Sequence, residues 1–443
     1  MQGFRPIRAK LATLGCRVNQ SESAMIEDAL VECGAQIVRD CDFADLLVVN
    51  SCALTEIAEA KTRRAIKNFK RKNPGSKVCV TGCYAQTNPQ SLLDFGVDMI
   101  VSNADKKRAA QLALGLFRDG GNSQPINTFN SFEGEVGALK KSDLSDSGFV
   151  GNFAISDRMN LKIQDGCDNA CAYCIIPRAR GLPRSRRISD ILSDAKNLVA
   201  RGVRELVLTG INISKFDGSI ADLVEQLSEI KGLLRIGIGS LEPPVRDVER
   251  LVNMMACSDS KLAKHFHISL QSASDKVLSA MRRKYTVSEF FRTVDFIKSI
   301  DSDISVGTDL ICGFPGESEE DFDETLRNVG SSKLSFLHVF TYSPRPQTLA
   351  ALKKQLPFDV RRARADRLRL VGDELRDKFF KSQIGKTCDV LLENQLKSGD
   401  YLGYTQNYIQ VAVNIADAGL KNTMCRVKIV SEIGKGRMRA ERI

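Results

Sequence analysis

The sequence predicts an α/β protein in three parts: an N-terminal open parallel α/β domain over 6–118, a central partial (β/α)6 barrel over 153–380 and a small antiparallel β-barrel over 381–443. Three observations predict it. Strand-like runs alternate with helical patterns over 8–118 and again from about residue 153, which implies parallel strands joined by helical crossovers. A polar, aperiodic stretch over 119–152, rich in turn residues, separates the two and reads as a linker. From about Lys381 short strands follow one another with turn residues between most of them, the pattern of a small closed sheet.

In the first region the strand candidates are Ala9–Leu14, Asp45–Asn50, Lys77–Thr81 and Met99–Ser102, with helices over Gln20–Glu32, Ala58–Lys72 and Lys106–Arg118. In the second they are Asn160–Gln164, Glu205–Leu208, Leu234–Ile238, His265–Leu270, Ser305–Leu310 and Leu337–Tyr342, most of them separated by helices such as Ile188–Arg201, Ala221–Ile230, Ser288–Ile300 and Glu319–Val329. Six such repeats suit a partial parallel barrel, whose chemistry sits at the carboxyl ends of the strands. In the third the strands are Thr387–Leu392, Tyr401–Thr405, Tyr408–Val413 and Met424–Val430.

Composition narrows the class. A chain of 443 residues with 43% hydrophobic residues supports two or three real cores. It has no long apolar run and no leader pattern, which predicts a cytoplasmic protein without a membrane span. Thirteen cysteines, an odd number, suit metal binding or catalysis in a reducing compartment better than a disulfide framework. The net charge of +10 suits a phosphate-rich partner. Basic residues concentrate at Arg178, Arg180, Arg184, Arg186 and Arg187, then at Arg361, Arg362, Arg364, Arg367 and Arg369, and finally at Lys435, Arg437, Arg439 and Arg442. For any single run, a solvated helix face is the competing explanation.

Cys167, Cys171 and Cys174 form a C-x3-C-x2-C triad directly after the first barrel strand. Three thiolates on one tight loop can hold three corners of a four-iron cube and leave the fourth iron open. Electron-transfer clusters usually close all four positions with cysteine, and an open position suggests chemistry at the metal. A zinc knuckle and a redox pair are the alternatives for a bare triad. Cys16, Cys52 and Cys83 each follow a strand of the first region, two of them directly after Gly15 and Gly82. Ligands of open parallel sheets collect outside the carboxyl ends of the strands. Geometry alone leaves two readings of this trio, a second metal site or small apolar residues ending buried strands.

The aromatic in Cys171-Ala172-Tyr173-Cys174, with the spacing and the barrel, resembles the radical S-adenosylmethionine (SAM) enzymes. The resemblance narrows to their methylthiotransferase branch. It is carried by Thr13-Leu14-Gly15-Cys16-Arg17-Val18-Asn19-Gln20, Val49-Asn50-Ser51-Cys52-Ala53-Leu54-Thr55 and Val80-Thr81-Gly82-Cys83-Tyr84-Ala85-Gln86 in the first region. In the barrel it is carried by Ile163–Gly181, Leu208-Thr209-Gly210-Ile211-Asn212, Leu310–Glu317 and Tyr342-Ser343-Pro344-Arg345-Pro346. The C-terminal barrel stands where that family has its TRAM domain. The segment around Cys16 is most similar to the MtaB type, which acts on N6-threonylcarbamoyladenosine in tRNA. The MiaB type, acting on isopentenyladenosine, typically has Tyr-Gly-Cys-Gln-Met-Asn there, and the RimO type, acting on a ribosomal-protein aspartate, has Leu-Gly-Cys-Pro-Lys-Asn. Departures from the MtaB pattern are small: Arg17, Ser51, and Ala273 where glycine is common, which matters only if that turn needs a positive φ.

The resemblance implies two 4Fe-4S clusters, one on Cys167, Cys171 and Cys174 and one on Cys16, Cys52 and Cys83, with SAM as co-substrate. It implies transfer of a methylthio group to C2 of N6-threonylcarbamoyladenosine at tRNA position 37, using two SAM. The partners implied are tRNA, a low-potential electron donor such as flavodoxin or ferredoxin, and a sulfur donor. Tyr173, Thr209, Asn212 and Glu242 are the candidate SAM contacts, and Arg345 is a candidate for a substrate phosphate or carboxylate. His265 and His267 alternate on a strand and read as core or lining rather than ligands, and the seven remaining cysteines read as structural. The alternatives within the family are the MiaB and RimO types. The alternative outside it is an iron–sulfur RNA-binding or electron-carrier protein, against which the large barrel argues.

Overall fold

The computed structural model describes residues 5–39, 43–117, 126–127, 158–415, 417, 419–434 and 436–443. Cys41, Lys435 and all of the expected linker but Ile126–Asn127 lie outside the described residues. Contacts divide the chain into two units. The first holds the described residues before 155 with Asn160–Asn197 and Ser343–Ala351, and the second holds Leu198–Tyr342 and Leu352–Ile443 with Arg158 and Met159.

The first unit is built on a six-stranded, all-parallel sheet. Its spatial order is Gln36–Ile37, Arg8–Thr13, Leu46–Ser51, Lys77–Gly82, Met99–Ile100 and Ile126–Asn127. Every residue of Leu46–Ser51 is buried, as expected for the middle of a parallel sheet covered on both faces. The helix Arg17–Glu32 packs Ile26 and Leu30 against Ala9, Leu46, Val48 and Cys79 in one core. Helix Glu56–Lys72 starts where the Thr55 hydroxyl accepts the Ala58 N–H. It carries Glu56 and Glu59 in its first turn and Lys70, Arg71 and Lys72 in its last, matching the helix dipole. The two outermost strands, of two residues each, were not expected; so short a run shows no periodicity.

In the second unit Glu205–Thr209 pairs in parallel with Arg235–Ile238, and Ser240–Leu241, His265–Ile268, Ser305–Cys312 and Phe336–Thr341 form a second parallel run. The helices between them carry strong start signals. Thr286 with Glu289, and Ser318 with Asp321, make reciprocal capping boxes. The second basic run lies on an unexpected 26-residue helix, Phe358–Gln383, where Gly372 lets the helix approach Leu337 closely. The helix was hidden because its buried residues, Ala365, Leu368, Leu375, Phe379 and Phe380 among them, are sparse between charges.

The C-terminal strands close a five-stranded barrel in the order Thr387–Gln395, Tyr401–Thr405, Gln410–Asn414, Arg437–Arg442 and Met424–Gly434. Four strands were expected. The fifth, Arg437–Arg442, pairs in parallel with Gln410–Asn414. Buried Met438 and Ala440 alternate in it with exposed Arg439, so the third basic run of the sequence lies on a strand.

The turn after Tyr401–Thr405 covers the amino ends of the parallel strands. Arg235 donates to the Tyr404 and Thr405 carbonyls at 2.7 and 2.9 Å, and Tyr408 donates to Glu205 at 2.6 Å. The Lys264 N–H bonds the Gln406 carbonyl at 2.7 Å, and Ser305 Oγ bonds the Asn407 carbonyl at 2.8 Å. Arg235 and Glu205 pair at 2.8 Å with both side chains fully buried. The hydrogen bonds to the turn satisfy that pair, which a buried ion pair requires. One end of the strands is thereby committed to packing, and the carboxyl ends carry the candidate site. Among the described residues no helix is long and apolar enough to cross a membrane.

Candidate metal centre

Cys16, Cys52 and Cys83 converge, as the strand-end rule predicts. A Cβ on Gly15, at φ +103°, would lie 2.6 Å from Cys52 Cβ and 2.8 Å from its sulfur. A Cβ on Gly82, at φ +98°, would lie 2.3 Å from the Ser51 carbonyl oxygen. Both glycines are therefore required by conformation and by space, and each brings the next cysteine against the Cys52 loop. Asn19 ties the strand ends together by donating to the Leu14 and Ser51 carbonyls at 2.7 and 2.9 Å. Burial pushes the Cys16 thiol up while Arg180 pulls it down. Burial pushes Cys52 up to about 12, opposed by a hydrogen bond with the Leu54 backbone. Thiols buried in this way become good ligands once a metal displaces their protons.

Cys167, Cys171 and Cys174 lie on one loop between Gln164–Asp165 and Arg184–Ser185, which pair antiparallel and close it. The Cys167 N–H bonds the Gly181 carbonyl at 3.0 Å and the Cys174 N–H bonds the Cys171 carbonyl at 3.1 Å. The Asn169 N–H points at the Cys167 sulfur at 3.4 Å, and the Ile176 N–H at the Cys174 sulfur at 3.5 Å. Such donors favour thiolate over thiol and tune a cluster's potential. Among the described residues, three chelating donors lie within 4.8 Å of one another at His267, Asp309 and His338, and at neither cysteine trio. None of the described cysteines is in a disulfide.

Two features join the loops within this unit. The first is Arg180, whose side chain is 1% exposed. Its Nε donates to the Cys83 sulfur at 3.3 Å, and its terminal nitrogens reach Asn19 at 2.6 Å, Glu22 at 2.7 and 3.0 Å and Asp165 at 3.2 Å. Glu22 also binds Lys106 at 2.7 Å and Lys162 at 3.0 Å, and Lys162 binds Asp165 at 2.8 Å. Burial opposes ionisation of Glu22, yet Arg180, Lys106 and Lys162 hold its carboxyl well below the usual range. Asp165, against the same burial, is held down to about 2 by Lys162 and Arg180. Arg180, Lys106 and Lys162 outnumber Glu22 and Asp165, so the network leaves positive charge beside the Cys83 sulfur. The second feature is Ser343–Ala351. Ser343 Oγ accepts the Glu56 N–H at 3.1 Å, Arg345 pairs with Glu59 at 2.8 Å, and the Ala350 N–H bonds the Ala172 carbonyl at 2.8 Å. Arg345 is thus engaged by Glu59 beside the Cys52 loop.

Arg180, Glu22, Asn19 and Lys162 were not singled out from the sequence. Arg180 was read within a basic run, and its neighbour Arg186 is likewise buried, against Asp194 at 2.6 Å. In the second run Arg364 is buried against Glu317 at 2.7 Å, while Arg367 pairs with Glu319 at 2.6 Å and Arg369 with Asp366 at 2.5 Å. Both runs are therefore substantially internal or ion-paired. The signal that was available lay in the motifs themselves, since Asn19 and Arg180 fall within the segments that carry the resemblance.

In the second unit, Thr209 ends its strand buried. Asn212 donates to Glu242 at 2.6 Å, and Arg283 pairs with the other Glu242 oxygen at 2.7 Å. Thr209, Asn212 and Glu242 sit at the carboxyl ends of strands, where small polar ligands of parallel sheets bind. Tyr173 belongs to the cysteine loop of the first unit. At the turn containing Ala273 the positive φ falls on Gln271, at 71°, so the alanine is unstrained.

Residues 161–329 match the Radical SAM superfamily and residues 8–102 the Uncharacterized protein family UPF0004. The chain is 33% identical over 98% of its length, and 97% of the relative's, to the threonylcarbamoyladenosine tRNA methylthiotransferase MtaB of Thermotoga maritima. It is 35% identical to the Bacillus subtilis protein of that name, covering 90% of this chain and 88% of that one. It is 32% identical to a tRNA-2-methylthio-N(6)-dimethylallyladenosine synthase of Endomicrobium trichonymphae, covering 90% and 91%. Among solved structures, the radical S-adenosylmethionine methyltransferase TsrM of Kitasatospora setae aligns with a TM-score of 0.56 at 15% identity, covering 78% of this chain and 74% of that one. At that identity the likeness is one of fold.

Proposed function

Because the chain belongs to the radical SAM methylthiotransferase family, we propose that it adds a methylthio group to C2 of N6-threonylcarbamoyladenosine at position 37 of tRNA. The observation that carries this is the pair of cysteine trios in one unit, joined through Arg180 and Ser343–Ala351, in a chain 33% identical along 98% of its length to an enzyme named for that reaction.

In this reading Cys167, Cys171 and Cys174 hold a 4Fe-4S cluster with one iron left for SAM, and Cys16, Cys52 and Cys83 hold a second. Loaded in this way, the first site supplies radical activation of an unreactive C–H bond, which acid–base groups cannot achieve at C2 of adenine. The chain's own residues position and tune. The Asn169 and Ile176 N–H groups stabilise thiolates of the first loop, and Arg180 does so for Cys83. Asn212 and Glu242, fixed by Arg283, offer an amide and a carboxylate suited to the polar groups of SAM. The C-terminal barrel acts as a TRAM-like RNA-binding domain. Arg426, Lys428 and Arg439 face outward there, alternating with buried Val427, Ile429, Met438 and Ala440. Phosphate contacts of that kind weaken steeply with salt. A low-potential flavodoxin or ferredoxin and a sulfur donor complete the reaction in the cytoplasm.

The test is mass spectrometry of tRNA nucleosides from a deletion strain. The methylthio form of N6-threonylcarbamoyladenosine disappears and returns on complementation, while methylthio-isopentenyladenosine is unchanged. The reverse pattern assigns the MiaB-type substrate, which the 32% identity to a dimethylallyladenosine synthase keeps in view. Replacing Cys52 with alanine is expected to leave formation of 5′-deoxyadenosine from SAM within about twofold of wild type and to remove methylthio product below about 1%, a loss of roughly 3 kcal/mol in transition-state stabilisation. Unchanged methylthio product rules out the second cluster site.

A further inference from the structure

The sequence holds three histidines, and two of them meet around one carboxylate. His267 Nε2 lies 3.2 Å from Asp309 Oδ1, and His338 Nδ1 lies 3.3 Å from the same oxygen. The imidazole centroids are 5.0 Å apart. The three side chains come from adjacent parallel strands, His265–Ile268, Ser305–Cys312 and Phe336–Thr341. Asp309 stands directly across from His338, and Gly307, one period earlier, stands across from His267. Alternation along the strands sends Phe266, Ile268 and Leu310 into the packed side and the trio to the other. The sequence pattern read His265 and His267 alike, as core or lining. The fold separates them: His265 bonds Ser305 at 2.7 Å, and His267 joins the trio.

We propose that His267, Asp309 and His338 form a site for one divalent transition-metal ion, distinct from both cysteine trios. Ligand–metal lengths of about 2.0–2.2 Å place neighbouring donors about 2.9–3.4 Å apart in octahedral or tetrahedral geometry, and both distances to Asp309 fall in that interval. Two imidazoles and one carboxylate select zinc-like or iron-like ions over magnesium or calcium, which prefer oxygen. Three protein ligands leave positions open for water or an oxygen-bearing ligand. Asp309 Oδ2 accepts from Ser269 at 3.4 Å, an outer contact of the sort that orients a ligating carboxylate. The His338 side chain, 62% exposed, provides the way in for the ion. The site does not depend on the proposed RNA substrate.

The experiment uses the full chain with its clusters reconstituted anaerobically, equilibrated with ZnCl2, desalted and assayed for zinc and iron by elemental mass spectrometry. Wild type retains one zinc per chain beyond its iron. The double variant H267A/H338A retains less than about one-tenth of that with iron unchanged, and His338→Ala alone, at an exposed position, weakens zinc binding at least about tenfold, near 1.4 kcal/mol. Cobalt in place of zinc, read as the difference spectrum against the same cobalt-free protein, gives d–d bands that the double variant loses and adds no thiolate charge-transfer band. Equal zinc in wild type and the double variant, no retained zinc in wild type, or a cobalt-dependent thiolate band that survives in the double variant, each overturns the proposal.

Discussion

Replacing Cys171 with alanine is expected to stop reductive cleavage of SAM, lowering 5′-deoxyadenosine formation by at least about 10³-fold, or some 4 kcal/mol of barrier. The loop supplies three thiolates and no more, so losing one leaves two, and a cube held at two corners is not retained in a catalytic setting. The backbone of the loop does not depend on the lost sulfur. Its closing bond, Cys174 N–H to the Cys171 carbonyl, is main chain, and the flanking pairing of Gln164–Asp165 with Arg184–Ser185 lies outside the triad. The variant should therefore fold and carry about half of the wild-type iron, the Cys16, Cys52 and Cys83 site remaining. Formation of 5′-deoxyadenosine at the wild-type rate would falsify the assignment of this triad to the SAM-cleaving cluster. Iron unchanged from wild type would count equally against it.

Replacing Arg180 with methionine is expected to destabilise the first unit by about 3 kcal/mol or more, the range for breaking a buried ion pair by removing one partner. The guanidinium is fully buried and holds Glu22, Asp165, Asn19 and the Cys83 sulfur at once. Methionine fills much of the volume but donates none of those bonds, so two carboxylates lose a donor in a place water cannot reach. Lys106 and Lys162 still face Glu22, which sets the loss at the lower end of the range. The measurement is urea unfolding of the apoprotein, comparing Arg180→Met with Glu22→Gln and the double variant. Coupling requires the double variant to be less destabilised than the sum of the two single ones. Exact additivity, or a single-variant loss under about 1 kcal/mol, would show that the network is not a unit.

Much of this protein is legible in its sequence. The Cys167–Cys174 triad is contiguous, so its spacing alone states how many thiolates one loop can offer. Cys16, Cys52 and Cys83 are scattered along the chain, yet each ends a strand of a parallel sheet, and the sheet rule brings such ends together. The capped helices Val287–Ile300 and Glu319–Gly330 were legible from local periodicity. What escaped was whatever depends on a partner far away in sequence. Arg180 and Arg186 sit among arginines that look like a solvated face, because burying a charge is unfavourable unless remote carboxylates receive it. Glu22 and Asp194 do so, and no local pattern announces them.

The amino-acid sequence by itself determined the three-part α/β order, the family, and the six cysteines set at strand ends and on one loop, since each of these follows from short-range pattern. Only the tertiary structure decided that Arg180 faces Cys83, that Ser343–Ala351 touches both cysteine loops, and that His267, Asp309 and His338 share one point. Those juxtapositions are set by strand register and close packing, and a register shift of one residue would turn every one of the strand-borne side chains to the opposite face.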